Sequence, residues 1–187
     1  MSIFKTSKVY IMLFSALNLF RIIFSTNIAN LTLIGGLSKL LSLAAPLSVI
    51  LYFIAEKKGA DLKKYILPTG FGLSTVTVFI AGWQVAALSV YDGVYGTFNT
   101  LMIAVQALAM VLMFVGTLFD FENIKYLKTG SLVFIGAATV SIVAGSVLEI
   151  IGGAYGFNPL ALIEFLILIF YYFGIYLLAK EKSKEAK

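Results

Sequence analysis

Six runs of apolar residues, each near 20 residues long, follow one another with only short polar connections between them. A helix rises about 1.5 Å per residue, so about 20 residues match the roughly 30 Å hydrocarbon core of a bilayer. Such runs leave too little polar surface for a water-facing shell. Only 12% of the residues are charged, about half the share in ordinary globular domains. The spans are read at 9–28, 31–54, 65–91, 97–118, 127–151 and 159–179. The predicted class is therefore all-α: a polytopic membrane protein with one transmembrane domain over 1–179 and a short charged tail over 180–187.

The connections alternate in character. The first, third and fifth (Asn27 to Thr32, Asp92 to Gly96, Gly152 to Asn158) hold no Lys or Arg, whereas the second and fourth (Glu56 to Lys64, Asp120 to Lys125) are charged. Of the 14 basic residues, 12 fall at one rim: Lys5, Lys8, Lys57, Lys58, Lys63, Lys64, Lys125, Lys128, Lys180, Lys182, Lys184 and Lys187. Lys and Arg resist translocation, so this asymmetry predicts that both termini are cytoplasmic. A cleaved leader is not expected, since Arg21 interrupts the first apolar run and no small-residue cleavage site follows. A Lys-rich chain without Cys suits a bacterial plasma membrane.

A shift of about 60 residues aligns Thr69-Gly70 with Thr129-Gly130, and Gly93, Tyr95, Gly96 with Gly153, Tyr155, Gly156. A Lys-Tyr signature opens each odd-numbered span, at Lys8 and Tyr10, Lys64 and Tyr65, and Lys125 and Tyr126. One reading is three parallel helical hairpins of about 60 residues. The other is that Lys-Tyr pairs are interface anchors and the Gly matches are coincidence.

Lipid tails are as apolar as Leu, so helices must associate through small residues and hydrogen bonds. The third span places Gly70, Ser74, Gly82 and Ala86 on one ridge. The fifth places Ala137, Ser141 and Gly145 on another, beside Gly136 and Ala144. Both helices are expected to be central. The sixth, aromatic and aliphatic from Phe165 to Phe173, is expected to face lipid over much of its girth. Pro46 should kink the second span near Leu41 and Ser42.

Charge inside a bilayer is costly, about 2.5–3.5 kcal/mol for Arg or Lys at a helix centre. Five such groups stand in or beside the spans: Arg21, Lys39, Asp92, Glu149 and Glu164, all toward the rim opposite the lysines. Arg21 lies deepest of the basic ones, roughly 10 Å from the end of its span. Asn18 shares its helix face, and Ser25 continues it. Gln84 and Gln106 add amides at mid-span, and Trp83 is expected to border the same region. The candidate substrate-binding set is thus Asn18, Arg21, Lys39, Gln84, Gln106, Glu149 and Glu164, lining an outward-facing pocket. The bland alternative pairs Arg21 with Glu164 and Lys39 with Glu149 as interhelical glue, or lets Lys39, Asp92 and Glu149 reach the interface.

With no His, the His-Glu-x-x-His zinc hydrolases and Ser-His proteases are excluded, and with no Cys so is thiol chemistry. Asp61, Asp92 and Asp120 stand at span ends or in connections, which argues against an intramembrane aspartyl pair. No enzyme, metal site or cofactor is expected. The lysines beside apolar runs read as topology signals, so nucleic acid is not an expected partner. Two readings remain. The first is a small-solute-binding or transport subunit, working with other membrane subunits. The second is an assembly or regulatory component whose charges pair with partner helices or with each other. The length, six spans and outer-side polar set loosely resemble the vitamin-binding subunits of energy-coupling transporters. The small-residue pattern those subunits carry in the first helix is missing, because Phe20 follows Ala16 by four residues; no diagnostic motif accompanies the resemblance.

Overall fold

Pro46 has no amide hydrogen to give to the carbonyl of Ser42, and the second apolar run breaks there. One helix, α2, covers Leu33–Ser42 and the next, α3, covers Ala44–Lys58, with Leu43 between them. The break is filled by a side chain from elsewhere. In an unbroken helix the Ala45 amide would donate to the Leu41 carbonyl. Here it donates to the Ser74 hydroxyl at 3.1 Å, which in turn donates to that same carbonyl at 3.3 Å. An inserted hydroxyl is among the recognised causes of a sharp bend.

The remaining α-helices are α1 (Ile3–Phe24), α4 (Lys63–Thr117), α5 (Ile124–Ile151) and α6 (Pro159–Glu185). The computed structural model describes residues 3–24, 33–151 and 159–185. The predicted connections over 27–32 and 152–158 therefore fall largely or wholly outside the described residues, as do Ser25 and the Gly153, Tyr155 and Gly156 half of the repeat. Among the described residues the fold is all-helical, with six α-helices.

Straight, the 55 residues of α4 would extend roughly 80 Å, far beyond any bilayer. It bends instead at Gly93, whose φ of 57° and ψ of −130° suit only glycine. A Cβ on Gly82 would lie 3.1 Å from Ile103, so the two arms fold back on each other around that residue. Among the described residues, four stretches are long and apolar enough to cross a membrane: Gly36–Lys58, Gly96–Thr117, Ile124–Val147 and Leu162–Lys184. The protein has the character of a membrane protein.

The Lys-rich ends of the helices are closely packed. At the end of α3, Gly59 takes a left-handed φ of 65°. Its amide bonds Glu56 and that of Ala60 bonds Ala55, a Schellman ending that satisfies two terminal carbonyls. Gly130 seats α5 on the second arm of α4, where a Cβ would come within 2.6 Å of the Ala109 carbonyl and 2.9 Å of the Met113 amide. Gly116 meets the backbone of Leu127 in the same way, and Gly70 meets Ser48 and the Ala44 carbonyl. By contrast, Gly136 and Gly145 have no atom within 4 Å of a Cβ position. The closest approach on α5 thus lies a turn or more before the ridge expected from sequence.

Three helices are also tied by charge at this end. The carboxylate of Glu56 on α3 accepts from Lys8 on α1 and Lys182 on α6, each at 2.8 Å and each on its own oxygen. The Lys8 ammonium lies 5.8 Å from the Phe53 ring and that of Lys182 lies 5.9 Å from Tyr52. Lys182, expected in a solvated tail, is instead part of α6 and of this clamp.

On α6 the expectation of broad lipid exposure holds for one face only. Leu162, Ile163, Leu166, Phe170 and Phe173 are exposed, whereas Tyr171, Tyr172, Ile175, Leu178 and Ala179 are buried. An aromatic run looks alike on every face, so its buried side is chosen by the neighbouring helices.

Candidate functional site

The last two turns of α1 place Asn18 and Arg21 three residues apart on one face. Asn18 is buried, and its Oδ1 accepts from Arg21 Nε at 2.9 Å. That contact orients the guanidinium and uses one of its five donors. Its terminal nitrogens meet no hydrogen-bonding or ionic partner among the described residues.

Lys39 reaches the same place from α2. Its ammonium donates to the Ile23 carbonyl at 2.8 Å, one of the four carbonyls that a helix C-terminus leaves without an intrahelical partner. Both cations thus stand at the negative end of the α1 dipole, an arrangement worth about 0.3–1 kcal/mol for each in exposed settings.

The break at Leu43 turns α2 so that Ser38, Lys39 and Ser42 join Ala45 and Pro46 of α3 around one cavity. Ser74, Thr77 and Val78 enter from the first arm of α4, Met110 from the second, and Phe134 from α5. Leu168, Tyr171 and Tyr172 complete the wall from α6. All six helices contribute. The cavity measures about 400 Å³, within the roughly 300–1,000 Å³ usual for small-molecule sites.

Its aromatic wall is ordered. Tyr172 stacks on Phe134 with ring centres 3.9 Å apart, and its hydroxyl points to the Met110 sulfur at 3.5 Å. Tyr171 packs edge-on against Tyr172 at 4.9 Å and is 1% exposed. Its hydroxyl has no hydrogen-bond partner among the described residues. A buried polar group left unsatisfied costs about 1–3 kcal/mol, so this one requires an explanation.

Of the residues singled out from sequence, Asn18, Arg21 and Lys39 are brought together at the cavity. Gln106 is not among its lining residues and donates to Ser141 at 3.5 Å, joining α4 to α5. Glu164 is also not a lining residue, and no ion pair joins it to Arg21 among the described residues. Trp83 is 80% exposed and faces away. The side chains of Gln84, Asp92 and Glu149, and hence the suggested Lys39–Glu149 pair, lie outside the described residues.

Sequence reasoning missed Ser38, Ser42, Ser74, Thr77, Tyr171 and Tyr172. A partial signal existed. Ser38 and Ser42 share a face beside Lys39, Ser74 and Thr77 share one on the next span, and the two tyrosines are the polar members of an apolar run. Comparison of the chain with protein-family models, with characterised proteins and with solved structures finds no match.

Proposed function

We propose that this is a six-span membrane protein that holds a small solute in the cavity around Arg21, as a binding or transport subunit. Four apolar stretches, the reversal at Gly93 and the companion helix α1 support six passes. The Lys-rich rim then faces the cytoplasm, by the charge asymmetry of the connections. Two observations favour three hairpin repeats. Gly70 and Gly130 each seat a helix on the backbone of the helix before it, and Leu67 and Leu127, at the same offset, are 1% and 0% exposed.

The observation that carries the solute reading is the convergence itself: cations, hydroxyls and an unsatisfied phenol from α1, α2, α4 and α6 surround one space of ligand size, which α3 and α5 close with apolar side chains. A purely structural set of charges would pair off. The ion pairs among the described residues lie at the other end, on Glu56. Below the cavity, Ile11, Leu67, Met113, Leu127, Ile175 and Leu178 are all buried, and the buried hydroxyls of Ser15, Thr117 and Ser131 are each spent on a carbonyl of their own helix. That packed layer favours a binding subunit over a complete carrier, which would need access from both faces.

The test is purification under mild conditions followed by native mass spectrometry. A bound small molecule on the wild-type protein, lost on Arg21→Ala, is the expected result. A stoichiometric protein partner with no small molecule on either variant would support the assembly reading instead.

A further inference from the structure

The charge and shape of this cavity narrow the class of its occupant. Its wall carries the cations Arg21 and Lys39, and no carboxylate is among the described lining residues. Two features offset them in part: the α1 C-terminus, equivalent to about half a negative charge, and Glu164, which is not among the described lining residues and makes no ion pair with Arg21. Together these still leave a positive excess. A cationic ligand would be repelled, and a neutral one could accept from the guanidinium through a carbonyl or hydroxyl but would leave the excess charge unbalanced and form the weaker bonds. Facing the charged side are apolar surfaces on Met110, Phe134 and Leu168. The lone phenol of Tyr171, buried and unpartnered among the described residues, offers one further donor.

Building on the solute reading, we infer that the occupant is an amphipathic organic anion whose carboxylate or phosphate sits against Arg21 and Lys39 and whose apolar body lies toward Phe134 and Met110. Arg is suited to an oxyanion because its planar fork donates in pairs, and Lys adds a point charge. The residues divide the work. Asn18 fixes the guanidinium through Nε, which leaves the paired terminal nitrogens for the ligand. The anion can belong to a dissolved solute or to a lipid headgroup, and these sources are separable by experiment.

The chain has no cysteine, so Ser42→Cys creates a single reporter on the cavity wall. In phosphatidylcholine nanodiscs, its modification by an anionic thiosulfonate (sulfonatoethyl) is compared with that by a cationic one (trimethylammonioethyl), each rate divided by that for a free thiol. The anionic reagent should be favoured about tenfold or more, the low end of what charged clefts produce. Arg21→Gln with Lys39→Gln should abolish the preference. Sodium benzoate or inorganic phosphate should protect the thiol, and benzamide should not. Protection that appears only when phosphatidylglycerol is added to the bilayer assigns the anion to a headgroup and keeps the inference. If Ser42→Cys does not fold, Ser38→Cys serves as the reporter. A preference for the cationic reagent, or equal protection by benzamide, overturns the anion inference while leaving the solute reading intact. Failure of every reagent to reach either thiol means a sealed space, which overturns both.

Discussion

Two cation clusters of similar make-up occupy opposite halves of this bundle, and they have been completed differently. Near the Lys-rich end, Lys8 and Lys182 close on the two oxygens of Glu56, each at 2.8 Å, with the side chains of Lys182 and Glu56 only 17% and 20% exposed. In the cavity, Arg21 and Lys39 share no such carboxylate among the described residues. One leans on an amide of its own helix and the other on a backbone carbonyl. The packing differs in parallel: in the first half glycines press backbone to backbone, and the recess of about 340 Å³ beside the clamp is lined by Glu56 itself. The space of about 400 Å³ in the second half has no carboxylate among its described lining residues. Charge satisfied within the protein holds helices together, whereas charge left over is capacity to bind.

The comparison breaks first if the packed half tolerates crowding. Gly130→Ala should destabilise by about 3 kcal/mol, the upper part of the overpacking range. The added methyl meets the Ala109 carbonyl and Met113 amide, and backbone cannot swing aside. Gly136→Ala, with open space around it, should be neutral within about 0.5 kcal/mol, as surface changes usually are. Thermal unfolding of both variants in one detergent decides the matter. Equal melting temperatures would remove the packing contrast.

Next in size is the ionic clamp. Glu56→Gln leaves two lysines facing each other and should cost about 2 kcal/mol, between the values for exposed pairs and for buried ones. Replacing all three together (Lys8→Met, Glu56→Leu, Lys182→Met) should recover most of that loss, because no charge is then stranded. If the triple variant is less stable than Glu56→Gln, the clamp contributes more than mutual neutralisation.

How much of this could be read beforehand depends on how local each cause is. Pro46 breaks its helix by what it lacks, so the kink near Leu41 and Ser42 was legible. Arg21 and Asn18 were legible because a charge in an apolar run is conspicuous and i,i+3 spacing fixes a shared face. The plug in the kink was not: Ser74 lies 29 residues from the amide it accepts. Nor was the clamp, in which Lys182 and Glu56 are 126 residues apart. Tyr171 was hidden for a different reason. In a run where every residue is large and apolar, periodicity carries no information about which side turns inward.

Tyr171 also supplies a prediction about the cavity half, smaller and of opposite sign. Its hydroxyl is buried without a partner among the described residues, so Tyr171→Phe should stabilise the empty protein by about 1 kcal/mol, the lower part of the cost of an unsatisfied group. The same change should weaken benzoate binding if the phenol serves the proposed anion, since that donor is gone. Stability measured with and without benzoate separates the two effects. Destabilisation of the empty protein would mean that the phenol is satisfied at home.

The smallest effect on stability should come from Arg21, and its smallness is the informative part. If the guanidinium were interhelical glue, its removal would strand a partner inside the bundle, and breaking a buried pair costs about 3–5 kcal/mol. Its described hydrogen bond is instead with Asn18 on its own helix, and Gln at 21 carries an amide nitrogen at the same place along the side chain as the donating Nε. Arg21→Gln should therefore shift stability by less than about 1 kcal/mol, since a hydrogen bond nets about that much. Protection by benzoate should fall at least about tenfold, as expected when one charge-assisted hydrogen bond to the ligand is removed. A large fall in melting temperature with unchanged benzoate protection would reverse the roles assigned to the two clusters.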